Sequence, residues 1–166
     1  VFTGIGGFDL AALWCGWETI FMCDINKFAK AVSQFYFPDA IFIDDIKNEN
    51  FEKYEIDILV GGFPCQPFSA AGQRRGTEDD RHLWPEMLRA IRETKPRWVV
   101  AENVHGFITI EQGLVFESVI SDLAVEGYEA WPVVLPACGQ DAPHQRYRIF
   151  IIGFNATANL SNARPE

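Results

Sequence analysis

The sequence is short of several things, and each shortage narrows what the protein can be. None of its apolar runs approaches the ~20 residues needed to cross a bilayer. No basic segment followed by an apolar stretch opens it, so no signal peptide is visible. Histidine is scarce, at three residues, and none stands at zinc-ligand spacing from the four cysteines. No two cysteines form a C-x-x-C pair, so no metal site is expected and a reducing cytoplasm is the expected compartment. Cys15, Cys23 and Cys138 are expected to be small buried apolar residues. Positive charge is short as well. The 14 Lys and Arg against 23 Asp and Glu leave a net charge of -9, the wrong sign for a stand-alone nucleic-acid binder. Internal repeats and low-complexity tracts are absent.

What is present is a chain of 166 residues, 48% apolar, long enough for one domain with a full core. Helical and strand patterns alternate along it. Helices are expected over 8–15, 27–37, 82–93 and 114–126, and strands over 18–23, 40–43, 56–60 and 97–101. Two strands, 128–135 and 148–154, then follow without a helix between them. The βαβα order calls for a doubly wound, mostly parallel α/β sheet, with the closing pair antiparallel on its edge. Residues 155–166 lack periodicity and read as a linker. With no initiator Met before Val1 and hardly any strand before the first glycines, a longer polypeptide is expected, of which 1–154 is one domain.

The richest stretch is Gly61-Gly62-Phe63-Pro64-Cys65-Gln66-Pro67-Phe68-Ser69. It sets Cys65 just beyond an apolar strand, where open α/β sheets place their chemistry. The segment that follows is small, polar and basic, with Ser69, Gln73, Arg74 and Arg75, and Arg81 further on. A nucleophile with a basic loop beside it suggests covalent catalysis on a large anionic substrate; the alternatives are a buried structural cysteine and a merely soluble loop. Glu102 follows the next buried strand, and parallel pairing would bring it beside Cys65 as an acid holding a polar ring. The alternative is a surface acid. Near the end, Arg146 and Arg148 fall on one face if strand alternation holds, and two like charges there want an anion or Glu102.

A second group of residues lies upstream. Phe2-Thr3-Gly4-Ile5-Gly6-Gly7 follows a strand and opens a helix, where backbone amides can approach a ligand; a plain tight turn is the alternative. Asp24 ends the next strand about 20 residues on, the usual place of a ribose-binding acid. Asp45 ends the third and could receive an adenine amino group. Each acid could instead be a helix cap. Together the three points describe an adenosine site.

Phe2-x-Gly4-x-Gly6-Gly7, Gly62-Phe63-Pro64-Cys65-Gln66, Glu102-Asn103-Val104 and Gln145-Arg146-Tyr147-Arg148, in that order, resemble the motifs of the DNA cytosine-5 methyltransferase family over nearly the whole chain. The resemblance implies a Rossmann-like fold and S-adenosylmethionine as methyl donor, with S-adenosylhomocysteine as product and no metal. Phe2, Gly4, Ile5, Gly6 and Gly7 would line the donor's amino-acid and ribose portion. Asp24 would bind the ribose hydroxyls, Asp45 would face the adenine amine, Ile25 and Ile46 would flank the ring, and Gly62 and Pro64 would close the site near the sulfonium. Cys65 would attack carbon 6 of a flipped cytosine, Glu102 would hold its ring nitrogen and amine, Arg146 would help orient Glu102 and the base, Asn103 would hold the Pro-Cys loop, and Pro64 and Arg148 would complete the catalytic set. Ser69, Gln73, Arg74 and Arg75 would contact double-stranded DNA. The sequence departs from the family at Ile25, where many relatives carry an aromatic residue, and at His144, where they carry glutamine. The implied target-recognition region, on the same polypeptide or a separate subunit, would follow residue 154 and supply most DNA contacts. The setting would be a bacterial or phage-like cytoplasm. An RNA cytosine-5 methyltransferase and a non-catalytic partner subunit are the competing readings.

Overall fold

Strand pairing divides the sheet into two blocks that the first residues of the chain join. The structure, a computed structural model, describes residues 1–64 and 83–158. Among these, helix α1 (Gly7–Trp14) leads to strand β1 (Phe21–Cys23), helix α2 (Lys27–Tyr36) and strand β2 (Ile41–Ile43). Strand β3 (Ile58–Gly61), helix α3 (Trp84–Thr94), strand β4 (Trp98–Val104) and helix α4 (Leu114–Val125) follow. Strands β5 (Glu129–Leu135) and β6 (Arg148–Phe154) close the fold. β1 and β2 pair in parallel, and the second block has the order β3-β4-β6-β5. β3 and β4 are parallel, while β6 runs against both β4 and β5. The closing pair is therefore antiparallel at one side of the sheet, and the reversed strand is β6, one in from the edge. The Val1 amine donates to the Val60 carbonyl (2.6 Å) and the Thr3 amide to the Cys23 carbonyl (3.0 Å), tying β3 to β1.

Local sequence sets the element ends. Asn26 caps α2, its Oδ1 accepting from the amides of Phe28 (2.9 Å) and Ala29 (3.2 Å). Pro85 sits in the first turn of α3, where its missing N–H costs nothing. Expected boundaries move by up to three residues. The strand expected over 18–23 is limited to Phe21–Cys23, because its partner β2 offers only three residues to pair with. β3 shifts forward to Gly61, which pairs with Ala101. β4 does not stop at Ala101, since β6 matches it residue for residue from Trp98↔Phe154 to Val104↔Arg148. Glu102 and Asn103 therefore lie within a strand rather than after one.

That extension decides where their side chains go. Along β4, Val99, Ala101 and Asn103 are buried, with Ile149 and Ile151 of β6 on the same face. This face packs with Met87 and Ile91 of α3 and with Val119 and Leu123 of α4 in one core. Burying each such side chain contributes roughly 1.5–3 kcal/mol. Glu102, one residue out of phase, emerges on the opposite face.

Candidate active site

The glycine turn is fixed from two sides. Gly4 and Gly6 have φ of 56° and 85°, a region that favours residues without a Cβ. The Gly4 amide donates to Asp24 Oδ2 (2.7 Å), and the Gly4 carbonyl accepts from the hydroxyl of Ser33 (3.2 Å), which is fully buried on α2. The other oxygen of Asp24 accepts from the Asn26 amide (2.8 Å). A carboxylate has about four acceptor sites, so these two bonds leave room for further donors. A Cβ on Gly6 would meet the Phe37 ring at 3.0 Å, which holds α1 close to the end of α2. Asp9, the buried residue of α1, has its carboxyl pushed above the usual range by desolvation.

Beyond this turn opens a cavity of about 450 Å³, within the size range of small-molecule sites. Phe2, Asp24 and Ile25 line one part of it, Asp45 and Ile46 another, and Gly62 and Pro64 a third. Gly4, Ile5, Gly6 and Gly7 are not among its lining residues: the turn holds Asp24 rather than forming the wall itself. Asp45 also caps the short turn Ile46–Asn48, its oxygens accepting from the Lys47 amide and the Asn48 side chain at 3.0 Å each. Capping and cavity lining coexist there.

Three lining residues carry no sequence assignment: Cys23, Lys47 and Leu83. Cys23 and Lys47 adjoin assigned positions, a neighbourhood signal that could have found them. Leu83 comes from far along the chain, brought in as its amide meets the Pro64 carbonyl (3.4 Å). The Cys23 thiol is pushed up to about 12 by burial, so it stays neutral and acts as a small apolar wall. Cys15 and Cys138 are exposed, against expectation. Cys15 follows the outward flank of α1 at Leu13 and Trp14, and Cys138 lies in the turn Ala137–Gln140 beyond β5.

Next to the cavity, the end of β3 is pinned. The side-chain amide of buried Asn103 donates to the Phe63 carbonyl (3.0 Å), immediately before Pro64. The Phe63 ring packs against Trp84 and Phe107 at centroid distances of 5.2 and 5.5 Å. Trp84 in turn donates its indole N–H to Asp122 (2.8 Å). On the other face, Arg148 Nε meets Glu102 Oε1 at 2.9 Å, an ion pair between half-buried groups. The guanidinium also donates to the Tyr147 carbonyl (2.9 Å). The pairing follows from register: Arg148 stands opposite Val104, two residues along the same face from Glu102.

Alternation does not extend to Arg146. It precedes β6, is exposed and has φ of 36°, so it does not share the face of Arg148. Among the described residues, Glu102 pairs with Arg148. Cys65, Ser69, Gln73, Arg74, Arg75 and Arg81 lie outside the described residues. Among the described residues, no group of three His, Cys, Asp or Glu could hold a metal ion. No helix there is long and apolar enough to cross a membrane.

Comparison with known proteins bears on this arrangement. The family model for C-5 cytosine-specific DNA methylases matches residues 1–166. Type II methyltransferase M.Bsp6I of Bacillus sp. (strain RFL6) is 35% identical over 98% of the chain and 53% of its own length. M.HhaI of Haemophilus parahaemolyticus is 34% identical over 98% of the chain and 50% of its own length. Among solved structures, a DNA modification methyltransferase encoded within an E. coli prophage superposes with a TM-score of 0.77 at 26% identity, covering 93% of this chain and 45% of that one. The S. pombe Dnmt2 methyltransferase, at 21% identity, reaches the same TM-score over 99% of this chain and 50% of its own, a likeness of fold. The chain spans about half the length of the curated relatives M.Bsp6I and M.HhaI.

Proposed function

Since the chain belongs to the C-5 cytosine-specific DNA methylase family, we propose that it carries the catalytic half of an enzyme that methylates carbon 5 of cytosine in DNA. The observation that carries this reading is a single junction. An arginine-held carboxylate, Glu102, stands against Gly62, and Gly62 and Pro64 line a cavity furnished with Asp24 and Asp45.

The cavity's donor set suits S-adenosylmethionine. Asp24 and Asp45 offer acceptors to hydroxyl and amine groups, while Phe2, Ile25 and Ile46 offer apolar surface to a purine. Both acids also favour a cationic ligand. When bound, this donor supplies a sulfonium-linked methyl group.

The chain's own residues do the rest. The target base is reached by flipping it out of the duplex. Cys65 adds as a thiolate to carbon 6, which makes carbon 5 electron-rich. Glu102, oriented by Arg148, holds the ring nitrogen and exocyclic amine and stabilises the charge that this addition develops. After carbon 5 takes the methyl group, loss of its proton expels the Cys65 sulfur and restores the ring. Asn103 keeps the backbone before Pro64 in place while this happens. Exposed Arg146 is proposed for contacts to the base or its phosphate, and Ser69, Gln73, Arg74 and Arg75 for contacts to the DNA strand. No metal is required by these steps. The recognition of a DNA sequence falls to a further region or separate subunit, a reading the coverage of the relatives supports. Their bacterial sources support a bacterial or phage-like cytoplasmic setting.

The test is transfer of labelled methyl from S-adenosylmethionine by the full-length protein, offered unmethylated duplex DNA or transfer RNA. Duplex DNA is the expected acceptor, and C65S is expected to abolish transfer while leaving donor binding within about threefold. Labelling of transfer RNA alone selects the RNA reading; undiminished turnover by C65S removes the nucleophile.

A further inference from the structure

Gly62 belongs to both parts of this arrangement. It lines the cavity. It also stands against the acid: a Cβ built on Gly62 would lie 2.9 Å from Glu102 Oε2, with no other atom of the described residues beyond its chain neighbours within 4 Å. That separation is too short for any side chain to keep. The methyl therefore points at the carboxylate and not into the main-chain packing.

What yields to such a methyl can be worked out from its neighbours. The backbone is constrained, because Gly61 pairs with Ala101 and its own Cβ direction is filled by Val1 and Met87. Asn103 holds the Phe63 carbonyl on the other side. Gly62 itself is not at positive φ, so alanine meets no left-handed strain there. The movable partner is the Glu102 side chain, yet its Oε1 is fixed by Arg148 at 2.9 Å. Displacing Oε2 swings the whole carboxylate and breaks that pair.

We propose that Gly62 is a positioning residue for Glu102: the missing side chain at position 62 keeps open the space in which the Arg148-bound carboxylate stands beside the donor cavity. The proposal rests on the catalytic reading of Glu102 given above. It differs from the expectation that Gly62 serves the donor alone, because a residue that only shapes the donor cavity would affect donor affinity, whereas this one sets the acid.

The experiment uses the full-length protein with G62A, with and without E102D. In G62A, kcat for methyl transfer to duplex DNA falls by roughly 100-fold, the scale of a ~1 Å misplacement of a reacting group. The Kd for S-adenosylmethionine stays within about threefold, and the melting temperature changes little because a side-chain end absorbs the clash. The shorter carboxylate of E102D withdraws from the methyl, so adding G62A to E102D costs less than about threefold. A crystal structure of G62A shows the Glu102–Arg148 contact broken, a readout that needs no turnover. If G62A unfolds, G62A with E102D regains the lost melting temperature. Equal losses in both backgrounds, a raised Kd with kcat retained, or an intact Glu102–Arg148 pair in G62A each overturn the proposal. Wild-type protein that transfers no methyl to cytosine overturns the catalytic reading itself, and the Gly62 role falls with it.

Discussion

Asp24 accepts one backbone amide on each oxygen, from Gly4 and from Asn26, and so organises the turn before any ligand arrives. Ser33 completes the clamp from the carbonyl side of Gly4. Removing the carboxylate takes away a charged acceptor and frees the turn, a combined loss of about 1.5–3 kcal/mol. D24A is therefore predicted to weaken S-adenosylmethionine binding by roughly 10–100-fold, measured by calorimetry. Unchanged affinity would mean that Asp24 serves only the fold. At this scale the sequence is informative where cavity lining and chain order coincide: Phe2 precedes α1, Asp24 and Ile25 follow β1, Asp45 and Ile46 follow β2, and all line the cavity. Ser33 leaves no such trace, because its partner is a main-chain carbonyl that any residue supplies. Arg146 shows the opposite failure. Alternation predicts its face only if the strand reaches it, and a left-handed φ of 36° places the break after it.

Elements hold the cavity together through contacts that sequence spacing does not announce. Arg89 on α3 bonds the carbonyls of Ile46 (2.5 Å) and Glu49 (2.9 Å), while Glu86 and Glu93 of its own helix hold its guanidinium. The cavity wall at Ile46 thus depends on a helix some 40 residues later. R89A leaves two carbonyls and two carboxylates without this partner. It is predicted to lower stability by about 1–3 kcal/mol and to weaken donor binding in parallel, read by denaturant unfolding and calorimetry on one sample. The order of helices and strands could be read from periodicity, and their presence agrees with it throughout the described residues. The length of β4 could not, because the extra three residues come from pairing with β6, a partner about 50 positions away.

Helix α1 adds a pH signature. Burial raises the Asp9 carboxyl above its ordinary value, so the folded state binds that proton more tightly than the unfolded chain. The protonated form's contribution is complete below the unfolded value and is lost as pH rises through the raised one. D9N carries no such group. The difference in melting temperature between D9N and the wild type should shift in favour of D9N as pH rises from the acid range to neutrality. A constant difference would show that Asp9 is ionised without cost.

For the whole molecule, the charge of -9 and the proposed DNA substrate have to be reconciled. A surface of this sign repels phosphate, which fits the proposal that sequence recognition falls to a further region and the chemistry to the cavity beside Glu102. The sheet order explains why that chemistry is located where it is. Parallel β3 and β4 deliver Gly62, Pro64 and Glu102 to one end, and antiparallel β6 returns Arg148 to the same place. The most direct measurement is the identity of the product. Full-length protein, S-adenosylmethionine and unmethylated duplex DNA are incubated, the DNA is digested to nucleosides, and these are resolved by mass spectrometry. The proposed reaction yields 5-methyldeoxycytidine with the wild type and none with C65S. Methylation of an exocyclic amine, or 5-methyldeoxycytidine made equally well without the Cys65 thiol, would contradict it.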